Sequence, residues 1–132
     1  MSNNNIETKF QKSAPYFPVT DPENSVRFFE KTLGFRCEYS AGTPVQFAIC
    51  SRDGLEIMFR RVADPKLIVP NEKQGGTWDV FFWVSGISAL HLELKSKGAE
   101  IVYGPVDQDY GIREFAVRDC DGHVLGFGEA IK

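Results

Sequence analysis

The chain has 132 residues, 42% hydrophobic and 25% charged, with a net charge of -3. That is the length and composition of one globular domain, long enough to bury roughly two-thirds of its unfolded surface. The acidic balance argues against a nucleic-acid partner, which needs a basic face, and no apolar run approaches the ~20 residues of a membrane span.

The opening MSNNNIETKFQ is polar and lacks the basic-then-apolar order of a signal peptide. Residues 1–12 therefore read as a flexible segment ahead of a single domain over 13–132. Cys37, Cys50 and Cys120 are odd in number and show no C-x-x-C spacing, which fits a reduced, cytoplasmic protein.

Tyr16–Val19 is a short apolar strand. It leads into a helix over Asp21–Leu33, with Asp21 as N-cap and Pro22 at the first helical position. Val26, Phe29 and Leu33 recur at helical spacing, and Gly34 supplies the left-handed stop. Strands follow at Phe35–Ser40, at Val45–Ser51 after the Gly42-Thr43-Pro44 turn, and at Leu55–Arg61 after Asp53-Gly54. Val62–Thr77, with its prolines and glycine pair, joins two halves. The second half repeats the order. Trp78–Val84 is a strand, Ser85 an N-cap, Ile87–Lys97 a helix with Leu90 and Leu94 on its face, and Gly98 its stop. Strands at Glu100–Val106, Ile112–Arg118 and His123–Gly128 complete it, the last two joined through Asp121-Gly122. The step from Asp21 to Gly34 equals that from Ser85 to Gly98. The expected fold is α+β, two tandem βαβββ modules (about 13–61 and 78–130) forming a curved mixed sheet around a cavity.

Period-two alternation assigns the faces. Val80, Phe82 and Val84 oppose Asp79, Phe81 and Trp83; Leu55, Ile57 and Phe59 oppose Glu56, Met58 and Arg60. Phe115, Val117, Leu125 and Phe127 oppose Glu114, Ala116, Val124 and Gly126. The aliphatic face suits a helix, with Phe29, Leu33, Ile57, Phe59, Phe82, Leu94, Phe115 and Phe127 as core. The other face mixes aromatics, small residues and charges, as a ligand cavity does.

Two segments, PVTDPENSVRFFEKTLGF (18–35) and YGIREFAVRDCDGHVLGFGE (110–129), resemble the vicinal oxygen chelate superfamily of glyoxalases, bleomycin resistance proteins and dioxygenases. Cys120 stands where proline is usual in that family's Asp-Pro-Asp-Gly turn. The resemblance implies a small-molecule cavity, a homodimer and, in the metal enzymes, one divalent ion held by His, Gln or Glu. The inherited ligand positions fall on Ala14, on Met58 or Glu56, on Asp79 and on Gly126. Alanine and glycine offer no donor, so the resemblance points to the metal-free bleomycin-resistance type, without cofactor and without catalytic residues. The alternative it carries is a metal-dependent lyase, isomerase or oxygenase.

The expected cavity lining is Tyr16, Gln46, Glu56, Met58, Asp79, Phe81, Trp83, Glu114 and Gly126, with Tyr110 at the mouth. Phe81, Trp83 and Tyr16 offer flat faces to a cationic or aromatic compound. A competing reading pairs Asp79, Glu56 and Glu114 with Arg60, Arg113 or Arg118 across neighbouring strands. Trp78 reads equally as a plug over the helix-covered core. His123 reads as a strand-end residue near solvent, His91 as a surface residue, and the cysteines as packing.

Overall fold

A computed structural model describes residues 6–131; residues 1–5 of the N-terminal segment lie outside it. Residues 6–15 carry no regular structure, although Lys12 reaches Glu56 at 2.8 Å. The elements are β1 (Tyr16–Val19), α1 (Pro22–Leu33), β2 (Arg36–Ala41), β3 (Phe47–Arg52) and β4 (Leu55–Arg61), then β5 (Val80–Trp83), α2 (Ile87–Ser96), β6 (Glu100–Asp107), β7 (Ile112–Arg118) and β8 (Val124–Ala130). Short 3-10 turns at Pro65–Leu67 and Asn71–Gln74 occupy the joining segment. No helix among the described residues is long and apolar enough to cross a membrane.

Each module is βαβββ and forms its own four-stranded mixed sheet, ordered β1-β4-β3-β2 and β5-β8-β7-β6. The first strand of each lies parallel to the last, Phe17 beside Phe59 and Phe82 beside Phe127. Such a parallel pair needs a crossover, which the helix supplies.

Helix α1 starts and stops as its sequence dictates. The Asp21 side chain accepts from the Glu23 amide at 3.0 Å, Pro22 opens the helix, and Gly34 (φ 73°) bonds back to the Phe29 carbonyl. Helix α2 differs. Its N-cap is Gly86 (φ 78°), not Ser85, and the capping oxygens come from Glu129 on β8, 3.1 Å from the Gly86 amide and 3.0 Å from that of Ile87. Those two amide bonds hold the Glu129 carboxyl below its ordinary pKa. A distant carboxylate thus does what the local serine was expected to do.

The eight expected core residues are all buried. Their rings run from one module into the other: Phe29 meets Phe59 at 4.9 Å and Phe35 at 5.3 Å, Phe35 meets Phe82 at 6.2 Å, and Phe82 stacks on Phe127 at 5.5 Å. The helix-side faces of both sheets therefore share one core. Arg52 locks this arrangement with a forked pair to Glu93 of α2, at 2.8 and 2.9 Å. The opposite sheet faces lie outside this core.

Candidate functional site

The outer face of the second module is built on glycine. Register pairs Phe81 with Gly126 and Trp83 with Gly128, while Ala116 and Glu114 lie opposite the same two glycines from β7. With no side chain at either position, aromatic rings rest directly on the backbone. A Cβ at residue 126 would stand 2.6 Å from Trp78 Cδ1, and one at residue 128 would stand 2.5 Å from Phe81 Cζ. Trp78, Phe81 and Trp83 follow one another edge-on, with centroids 4.6 and 5.0 Å apart.

At the centre is Glu114, only 1% exposed. Both of its oxygens accept phenol hydrogens: Tyr103 donates to Oε2, and Tyr110 donates to Oε1 at 2.7 Å. Trp78 Nε1 in turn donates to the Tyr103 hydroxyl at 2.9 Å. Burial, then the bond to Glu114, push the Tyr103 phenol far above its ordinary pKa, and the same carboxylate raises that of Tyr110. Both phenols stay protonated near neutrality and serve as donors. Tyr110, 62% exposed, and Trp83, 66% exposed, bound this group toward solvent.

Of the expected lining, Phe81, Trp83, Tyr110, Glu114 and Gly126 thus come together. Tyr16, Met58 and Glu56 share the outer face of the first module instead, where Phe47 and Ile49 of β3 accompany them. Tyr16 meets Phe47 at 6.2 Å, and Arg60 lies over the Tyr16 ring at 5.7 Å. Gln46 stands just before β3 and turns its amide to the Pro44 carbonyl at 3.1 Å. Asp79 turns away from the aromatic group. Its Oδ1 accepts from the Asn71 amide at 2.9 Å and its Oδ2 from the Val124 amide at 2.8 Å.

The expected arginine pairs do not form. Arg113 holds Asp107, Arg118 holds Glu72 and Glu100, and Glu56 takes Lys12. Trp78 and Tyr103 were missed from the lining. Parity mapped Trp78 to the core side, but β5 begins only at Val80, so alternation does not extend back to it. Tyr103, immediately before Gly104-Pro105-Val106, carried no comparable signal, because β6 is irregular between Ile101 and Val106.

The inherited metal positions can be tested on the same register. Met58 lies beside Tyr16 as Gly126 lies beside Phe81, which makes Met58, not Glu56, the counterpart of Gly126. The set is then Ala14, Met58, Asp79 and Gly126. Its one carboxylate already accepts two backbone amides, and no group of three or more metal-binding side chains exists among the described residues. This donor set does not fit a divalent ion, which takes about three or four convergent ligands.

The histidines are placed differently from expectation. His123 is 3% exposed, stacked on Phe17 at 4.2 Å, with Nδ1 3.0 Å from Asp119 Oδ2. Burial pushes its pKa down, but the Asp119 bond and the charges of Asp119, Asp79 and Asp121 outweigh it and leave the imidazole above its ordinary value. It joins β1 to the 119–123 turn rather than facing solvent. His91 is half-buried, edge-on to Phe115 at 5.3 Å. Cys50 is buried, and burial pushes its thiol up to about 12.

A family model described as the Glyoxalase/Bleomycin resistance protein/Dioxygenase superfamily matches residues 14–127. The chain belongs to this superfamily. Solved structures with the superfamily's fold align over nearly the whole chain. TioX from Micromonospora sp. ML1 superimposes with a TM-score of 0.74 at 23% identity, covering 92% of this chain and 100% of that one. A bleomycin-binding protein complexed with bleomycin gives 0.71 at 20%, covering 91% and 98%. The bleomycin-binding protein of the bleomycin-producing Streptomyces verticillus, complexed with copper(II)-bleomycin, gives 0.69 at 21%, covering 96% and 99%. At these identities the likeness is one of fold. No curated protein sequence matches the chain.

Proposed function

We propose that the chain sequesters a small planar cation on the aromatic face around Glu114, without a metal and without converting it. The observation that carries this reading is the environment of Glu114. A carboxylate removed from water is held there by neutral phenols, with no lysine or arginine among its hydrogen-bond partners. Burying an unpaired charge is costly, so a cation brought to that face gains more than it would at an exposed carboxylate. Trp83, Phe81 and Tyr110 add stacking and cation–π contacts of about 0.5–2 kcal/mol each. The fold neighbours whose ligands are bleomycins support the same class of role.

The site is completed, in this proposal, by a homodimer. Tyr16 and Tyr39 on one module and Trp83 and Tyr110 on the other stand exposed, on two separate sheets. Edge strands and apolar faces of this kind favour pairing. Light scattering at micromolar concentration is expected to give the mass of two chains, and a monodisperse monomer counts against the arrangement.

The binding test is titration calorimetry with bleomycin and with the planar cation thioflavin T. Glu114→Gln is expected to weaken binding of the cation by roughly 10-fold or more, the scale of a hydrogen bond or ion contact to a charged group. EDTA should alter neither affinity nor melting temperature. If EDTA lowers the melting temperature by several degrees and a divalent ion restores it, the metal-dependent enzyme reading replaces this one. If no cationic probe binds and EDTA has no effect, sequestration at this face is wrong.

A further inference from the structure

A second concave feature lies between elements of the two modules. A cleft of about 440 Å³ opens where the end of α1 and the β3–β4 turn face the end of β5 and the start of α2. Its volume is in the range of about 300–1,000 Å³ that small-molecule sites occupy. Leu33, Phe35, Phe82, Leu94 and Phe127 form an apolar floor, all of them buried residues of the shared core. At the mouth, Leu55 and Trp83 expose large apolar side chains to water.

The charged residues that line the cleft are Arg52, Asp53 and Glu93. Arg52 is committed to its neighbours: Nη1 donates to the Leu33 carbonyl and to Glu93, and Nη2 donates to Glu93 again. Glu93 takes a further contact from Lys97 at 3.3 Å. Asp53, in the β3–β4 turn, accepts no hydrogen bond on its side chain and makes no ion pair among the described residues. Asp53 is thus the carboxylate of the lining left without a direct partner among the described residues, above a floor that is greasy. The Arg52–Glu93 fork ties the turn to α2, so the two walls are held at a fixed separation before anything binds.

We propose that this intermodule cleft is a second binding site, for a small hydrophobic amine whose ring system lies on the phenylalanine floor and whose ammonium group faces Asp53. It is independent of the Glu114 face. The two sites use opposite sides of β5: Phe82 points into the cleft, Phe81 onto the glycines. Trp83 at the strand end borders both.

Dansylcadaverine, an aromatic amine whose fluorescence rises in apolar surroundings, tests the site, with uncharged dansylamide as its control. Saturable binding of dansylcadaverine is expected in the micromolar range, with a change in tryptophan emission from Trp83. Ala89→Trp, which fills the cleft from an exposed position on α2, should abolish it. Asp53→Asn should weaken dansylcadaverine about 10-fold and leave dansylamide unchanged. Asparagine tolerates the left-handed backbone of that turn (φ 52°), so this variant decides the question even if Ala89→Trp does not fold. The component of binding that Asp53→Asn weakens should persist in Glu114→Gln, whatever dansylcadaverine the Glu114 face itself takes up. Absence of saturable binding, or equal binding to Asp53→Asn, overturns the proposal. The thioflavin T result at the Glu114 face stands or falls separately.

Discussion

Gly104→Ala is expected to destabilise the protein by about 2–5 kcal/mol, a large part of the stability of a marginal domain. Two costs combine. Residue 104 has φ 87°, a conformation that costs a residue with a Cβ about 1–2 kcal/mol. The added Cβ would also stand 2.5 Å from the Glu114 carbonyl and 2.9 Å from Phe115 Cα. Those are backbone atoms of the neighbouring strand, which cannot rotate away, so β6 must shift off β7 at a further overpacking cost of about 1–3 kcal/mol. Gly98→Ala is the control. It has φ 86° but nothing within 4 Å of its would-be Cβ, so it should lose only about 1 kcal/mol. Urea denaturation of both variants separates strain from collision. Equal losses would mean that β6 slides freely. Because Tyr103 is the adjacent residue, the same shift should also loosen its bond to Glu114.

Asp79→Ala is expected to cost about 2–4 kcal/mol and to disturb the site only through the fold. Its carboxylate accepts from the Val124 amide at the buried start of β8 and from the Asn71 amide in the joining segment. A hydrogen bond to a charged group contributes about 1.5–3 kcal/mol, and the Val124 amide would be left without a partner. Asn71 also holds the Trp78 carbonyl through its side-chain amide at 2.9 Å, so releasing it should free the indole that covers Gly126. Asp79→Asn, which keeps one acceptor oxygen, should lose about half as much. Thermal denaturation and tryptophan emission read both effects. A variant as stable as the parent that has nevertheless lost ligand binding would show that the Asp79 carboxylate faces the ligand after all.

The parts of the fold that were legible in the chain rest on local chemistry. Asp21-Pro22 and Gly34 bound α1 because a capping carboxylate, a ring-fixed φ and a left-handed glycine act over a few residues. Asp53-Gly54 and Asp121-Gly122 each precede the last strand of a module, and alternation within β4 and β8 separates core from outer face because the pleat enforces it. The same alternation placed Phe81, Glu114 and Gly126 on one face. It failed for Trp78 and Asp79, which stand one or two residues before β5 begins, where no pleat constrains the side chain.

By itself, then, the sequence determined the twofold βαβββ order, the helix limits of the first module, the core residues and the absence of donors at Ala14 and Gly126. Those are properties of single residues and their near neighbours. Only the tertiary structure decided that Glu129 rather than Ser85 serves the start of α2, that Asp79 is spent on two backbone amides, and that Tyr103 joins Tyr110 over Glu114. It also decided that the two modules share one core along their helix sides and leave a cleft beneath Asp53. Each of these contacts joins residues far apart in the chain, between elements whose approach is fixed by packing many rings at once, and no local pattern encodes that approach.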